Sequence, residues 1–195
     1  MAEVVAGIEG IDKDTAEKNI RAQITNFKMD IDSFVDYIIF ISSINAIDNS
    51  FKNYLLATYD GVKWYMSAYD MDSSYGLYWN GKSFVRSHEI GGGTPLGNNN
   101  TMYVKAIQCL MAKIKARYES LKSNAFKPLH KSNITTLMLD FTAGIPKALF
   151  DEEVKIWTNL PSTSSNNVNQ IIHHYCERQD FLDEWFKNSG IKYIE

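Results

Sequence analysis

Cysteine is scarce in this chain, with two residues in 195, Cys109 and Cys176. Both stand inside apolar, helix-like patterns without the dense spacing of a disulfide framework or a zinc site. They are therefore expected as buried thiols, although the sequence leaves a single bridge between them open. An excess of one charge is also lacking. Twenty Lys and Arg against 23 Asp and Glu leave a net charge of -3, which offers no basic field to nucleic acid or an anionic membrane. No apolar run approaches the roughly 20 residues needed to span a bilayer. The first ten residues have neither a basic n-region nor a sustained apolar h-region, so no signal peptide is expected. A Gly-x-Ser-x-Gly elbow and a Ser-His-Asp arrangement are both missing, which argues against serine hydrolase chemistry. Internal repeats are missing too. These absences leave a soluble globular protein whose compartment the sequence does not name.

What is present is enough to bury a core. Hydrophobic residues make up 45% and charged residues 22% of the chain, close to globular averages, and the length suits one compact domain. Residues 12 to 28 are polar, with Ala16, Ile20, Ile24 and Phe27 at helical spacing, and read as a short helix or connector. Next comes a helix that is apolar nearly all round through Phe34, Val35, Tyr37, Ile38, Ile39 and Ile41, with Asp32 or Ser33 as its expected N-cap. It ends near Ser43 in a polar loop. Two strands, 54–59 and 62–68, flank Asp60-Gly61, a strong hairpin signal because a type I′ turn needs positive φ at both central residues. From Leu77 to Asn100, glycines and asparagines predict an exposed, mobile loop. Helices follow over 102–121, from a Ser132-Asn133 cap until Gly144 and Pro146 interrupt, and after the 162–167 linker from Val168. The expected fold is α+β, mainly helical with one small hairpin. Residues 1–29 are its connector or part of an upstream element, 30–195 the main domain, and 76–101 its loop.

One stretch carries chemistry. Asp48 and Asn53 lie five positions apart, and the hairpin then delivers Asp70 and Asp72. Phosphoryl transfer needs an in-line nucleophile and metal ions to neutralise the phosphates, and little covalent help. A carboxylate can accept the substrate proton, while an amide and further carboxylates bind magnesium through oxygen. In that order Asp48 is the candidate base, and Asn53, Asp70 and Asp72 are candidate metal ligands. Taken alone, Asp48 and Asn53 also fit an ordinary polar turn after a helix. Asp70-x-Asp72-x-Ser74 fits a helix cap, but not an EF-hand, which needs glycine at its sixth position and glutamate at its twelfth where Tyr75 and Gly81 stand.

Asp48-x-x-x-x-Asn53-Tyr54-Leu55-Leu56, the hairpin Tyr59 to Trp64, and Tyr69-Asp70-Met71-Asp72-Ser73-Ser74-Tyr75-Gly76 resemble the second half of the CotH-type kinase-like domain. Arg178-Gln179-Asp180-Phe181-Leu182 is similar to that family's arginine-containing final helix. The resemblance spans roughly residues 30 to 190 and is densest over 45–76. It implies a kinase C-lobe-like fold and magnesium-dependent phosphoryl transfer from ATP to protein. It gives Asp48 the catalytic-loop role, Asn53 the metal-binding amide, and Asp70 and Asp72 the place of a kinase Asp-Phe-Gly. Lys52 lies close enough to contact a phosphate, or is a solvated loop lysine. The family occurs in spore coats and in tail or baseplate proteins of phages and prophages, so the implied partners are a protein substrate or a neighbouring coat or virion protein, at a spore or virion surface.

The departures from the family pattern are specific. Ala46-Ile47 replaces His-Arg before Asp48, and no Gly-rich loop, strand lysine or partner glutamate precedes it. The expectation is a fragment lacking the nucleotide-covering lobe, inactive alone, with a degenerate domain as the alternative. The rival function is a non-catalytic module of a phage tail or baseplate. A third reading gives the Trp79-to-Asn100 loop a carbohydrate and Asp70 and Asp72 a calcium ion. Of the remaining candidates, His173-His174 points to two helix faces and reads as a partly buried structural pair rather than a metal site. His88 and Glu89 sit on the loop near a potential ligand. The aromatic group Tyr59, Trp64, Tyr65, Tyr69, Tyr75, Tyr78 and Trp79 is expected mostly in the core, with Tyr78 and Trp79 available to stack on a sugar or base.

Overall fold

The computed structural model describes residues 12, 14–15, 28–46, 48–50, 52–78, 101–158 and 168–189, with side chains from 107 onward in the segment that begins at 101. In chain order these give β1 (Lys28–Met29), α1 (Ile31–Ser43), a 3-10 turn (Asp48–Ser50), β2 (Tyr54–Thr58) and β3 (Lys63–Ala68). Four helices follow: α2 (Thr101–Lys122), α3 (Lys131–Ala143), α4 (Lys147–Ile156) and α5 (Val168–Ser189). The fold is α+β and mainly helical, as expected. His88, Glu89, Trp79 and most of the 76–101 loop lie outside the described residues.

Helix α1 is the centre of the molecule. Phe34, Val35, Tyr37, Ile38, Ile39 and Ile41 are all buried, because apolar residues leave almost no polar side to face water. Against them pack Ile107, Met111, Ile114 and Tyr118 of α2 and Leu182 and Phe186 of α5. The α2 residues recur every three or four positions, which places them on one face. The cap of α1 is Asp30, not Asp32 or Ser33: its carboxylate accepts from the Ser33 N–H at 2.7 Å. It also pairs with Lys63 Nζ at 2.5 Å, and the helix begins two to three residues earlier than expected. Ser33 instead uses its hydroxyl to accept from the Met66 N–H at 3.0 Å, joining α1 to the sheet.

The sheet has three strands in the order β1-β3-β2, with β1 parallel and β2 antiparallel to β3. The hairpin is where the sequence places it, but its turn differs. Thr58 pairs with Trp64, and positive φ occurs at Gly61 but not at Asp60. Asp60 Oδ1 accepts from the N–H groups of Val62 and Lys63, each at 2.8 Å, and Thr58 Oγ1 accepts from the Gly61 N–H at 2.9 Å. Side-chain acceptors thus fold a longer Asx-type loop in place of the two-residue type I′ turn.

Gly144 ends α3, yet Pro146 opens a separate helix, α4, in keeping with proline's fit to a helix start. Neither α3 nor α4 buries a residue fully. The cysteines are both free: Cys109 is exposed and Cys176 half-buried, so the expected buried thiols are not found. The aromatic group is likewise less buried than expected. Tyr59, Tyr69 and Tyr78 are exposed, and Trp64, Tyr65 and Tyr75 are half-buried. A hairpin with only one covered face cannot hide aromatics on both.

Candidate functional site

The end of α1 aims the chain into the site. Ala46 N–H donates to Ile41 O at 2.8 Å and Asn45 N–H to Ser42 O at 3.3 Å, with Asn45 left-handed at φ 55°. That is a Schellman closure with asparagine in the usual glycine place. Three residues on, the 3-10 turn carries Asp48 and Asn49.

Asn49 fastens the two chemical loops to each other. Its side chain is fully buried, and its Nδ2 donates to Asn53 O at 2.6 Å and Tyr69 O at 2.9 Å. The Tyr37 hydroxyl donates to Asn49 O at 2.6 Å, anchoring the turn to α1. Burial pushes the Tyr37 phenol well up from its ordinary value, so it stays a neutral donor. Tyr69 N–H donates to Asn53 O at 3.1 Å, and Asn53 Nδ2 donates to Asp70 O at 3.1 Å. Asn53 and Asp70 both take left-handed backbone, at φ 46° and 51°. Asn and Asp tolerate that region better than other non-glycine residues, and the surrounding bonds hold it in place.

Asp48 accepts from the Ser73 hydroxyl at 3.4 Å and pairs with Lys52 Nζ at 2.8 Å. The Lys52 ammonium is held above its ordinary pKa by that bond first, then by the charges of Asp48, Asp72 and Asp70. Lys52, half-exposed, thus shares one electrostatic neighbourhood with all three acids. Asp70 and Asp72 are themselves exposed. Asp48, Lys52, Asn53, Asp70 and Asp72 therefore meet at one end of the hairpin. Among the described residues no three His, Cys, Asp or Glu side chains converge as a ready metal cage.

The two histidines separate. His173 is exposed, with Nε2 3.4 Å from Glu177, whereas His174 is buried. His174, Gln170 and Asn49 were not singled out as site residues by sequence. The asparagine-rich run from Asn45 to Asn53 is the only signal that pointed to Asn49, since an amide there can serve as backbone glue.

A buried apolar helix, a tight 3-10 turn with an acid and an amide five residues apart, and a hairpin leading to a second acidic loop make up the site end of this mainly helical α+β fold. Residues 2–182 match the family model described as CotH kinase protein, and the chain belongs to that family. No curated protein and no solved structure matches it. Among the described residues no helix is long and apolar enough to cross a membrane.

Proposed function

We propose that this domain binds magnesium-ATP at the Asp48–Asp72 end of the hairpin and transfers phosphate to a protein hydroxyl. The observation that carries the reading is the Asn49 amide, which ties the Asn53 and Tyr69 carbonyls to one buried donor. An ordinary surface turn needs no such brace; a site whose ligands come from two loops does.

The donor set suits magnesium. Asn53 has its Nδ2 on the Asp70 carbonyl, which leaves its hard amide oxygen for a metal, and Asp70 and Asp72 are exposed carboxylates on the loop it holds. Magnesium keeps several waters and uses one or two carboxylates plus substrate phosphates, so a full protein cage is not required. Asn53, Asp70 and Asp72 would hold it, and it would neutralise charge on the phosphates. Asp48 would orient the acceptor hydroxyl and take its proton. Lys52, paired with Asp48 and facing the other acids, would meet a phosphate oxygen as a point charge.

The second reading, a structural module of a phage tail, baseplate or spore coat, draws on the outer helices. Phe141, Leu149, Ile156 and Trp157 are more than half exposed on α3, α4 and the residue after it, as in surfaces that meet other proteins. Transfer of labelled γ-phosphate to casein, or to the chain itself, separates the two. The kinase reading expects label, in the chain or in a form extended upstream, that depends on magnesium and is lost in Asp48→Asn. Label that never forms in either favours the structural module, and label that persists in Asp48→Asn removes Asp48 from the role of base.

A further inference from the structure

We infer that Gln170 and His174, one turn apart on α5, are positioning residues that set the acidic loop 70–76 against the catalytic turn. The inference rests on the reading of that loop as a magnesium-nucleotide site and extends it to the helix that holds it.

The loop closes on two consecutive left-handed residues, Tyr75 at φ 51° and Gly76 at φ 85°. A tyrosine in that region is strained and persists only where its surroundings overdetermine it. Those surroundings are α1 and α5. Tyr75 N–H donates to Ile44 O at 2.7 Å, and Gln170 Nε2 donates to Tyr75 O at 2.9 Å. Both sides of one peptide residue are thereby held by separate helices.

His174 fixes the next residue by shape. Its ring lies so near Gly76 that a Cβ there would fall 2.8 Å from Cε1 and nearer still to Nδ1. His174 Nε2 is buried with no hydrogen-bond partner among the described residues. The imidazole thus acts at this place as a flat wall, not as a hydrogen-bonding hub. Further along the helix, Arg178 Nε donates to Ser42 O at 2.8 Å and Gln179 Nε2 to Ser43 O at 3.4 Å. One helix therefore grips both the exit of α1, which leads to Asp48, and the end of the loop that carries Asp70 and Asp72. A shift of α5 moves the two halves of the site relative to each other.

A clash-and-relief experiment in the full chain tests this, read by amide exchange at Tyr75 and Leu77 and by Mn²⁺ titration. Gly76→Ala should speed exchange at both amides about tenfold or more and weaken Mn²⁺ binding, as expected for residues in direct contact. Adding His174→Ala should recover the part of both losses that comes from the clash, because the methyl group then has room, while the strain of alanine at φ 85° remains. Gly61→Ala is the control: φ is also positive, at 72°, but nothing lies within 4 Å, so it should leave both readouts alone. Ile38 and Ile39 amides in the core should keep wild-type exchange in every variant. Equal exchange in Gly76→Ala and the double variant would overturn the inference. If wild-type protein binds no Mn²⁺, the metal reading fails, and the exchange comparison still decides the positioning role. If Gly76→Ala does not fold, Gln170→Ala decides it, with faster exchange at Tyr75 and Leu77 supporting the inference and unchanged exchange refuting it.

Discussion

The buried side chain of Asn49 holds the Asn53 and Tyr69 carbonyls together. Asn49→Ala would take that donor from both carbonyls, with Asn53 O keeping only the Tyr69 N–H, at a cost of about 1–3 kcal/mol. Asn49→Asp would place a carboxylate against them and cost more. Urea denaturation should rank the three proteins in that order. His174 contributes a pH dependence of definite sign. Burial first, and the Arg178 charge second, hold its pKa at about 4, below the ordinary 6.5. As pH falls the unfolded chain takes up the proton first. Stability is therefore complete above pH 6.5 and declines toward pH 4, by up to about 3 kcal/mol. His174→Leu should flatten that slope in thermal melts between those limits. At this scale the sequence was informative for the acids and mute for their supports. Asp48, Asn53, Asp70 and Asp72 have a recognisable order and spacing. Gln170 and His174 act across about a hundred residues of chain, and no local pattern announces a contact of that range.

Elements were legible where one periodicity ruled. Helix α1 and the buried face of α2 follow from apolar spacing, and the hairpin follows from Asp60-Gly61 between two apolar runs. The turn type did not, because Asp60 and Thr58 supply acceptors that allow a loop with one left-handed residue. Asp60→Ala removes the acceptor for two N–H groups, so exchange at Val62 and Lys63 should quicken while β2 stays paired to β3. Helix α4 was missed for a different reason. Gly144 and Pro146 signal a stop equally well whether a coil or a new helix follows, and Pro146, the N-cap of α4, makes no side-chain cap bond that would mark a new start. The two-residue strand β1 is too short for any alternation to show. Its parallel pairing to β3 comes from Lys28 N–H on Val62 O and Asp30 N–H on Trp64 O, at 3.0 and 2.8 Å.

Among the described residues a buried helix packs against two long helices, α2 and α5, and against a small sheet. Arg178, almost wholly buried, sits at the junction. Burial lowers its pKa to about 10, so it remains charged at neutral pH, and it holds the Ser42 carbonyl and lies over the Phe181 ring at 5.3 Å. Arg178→Ala should cost about 3 kcal/mol or more through the lost donor and the void it leaves, seen as a lower urea midpoint. The central claim concerns what lies beyond the end of α1 that Arg178 grips, where two loops bring Asp48, Asn53, Asp70 and Asp72 together. Isothermal titration of magnesium-ATP into the chain, beside its Asp70→Ala variant, tests that claim most directly. Saturable binding that requires magnesium and disappears in Asp70→Ala is the predicted result. Heat that is the same in both proteins, or no binding by the wild-type chain or by a form extended upstream, would contradict it and leave the acidic loop as scaffold.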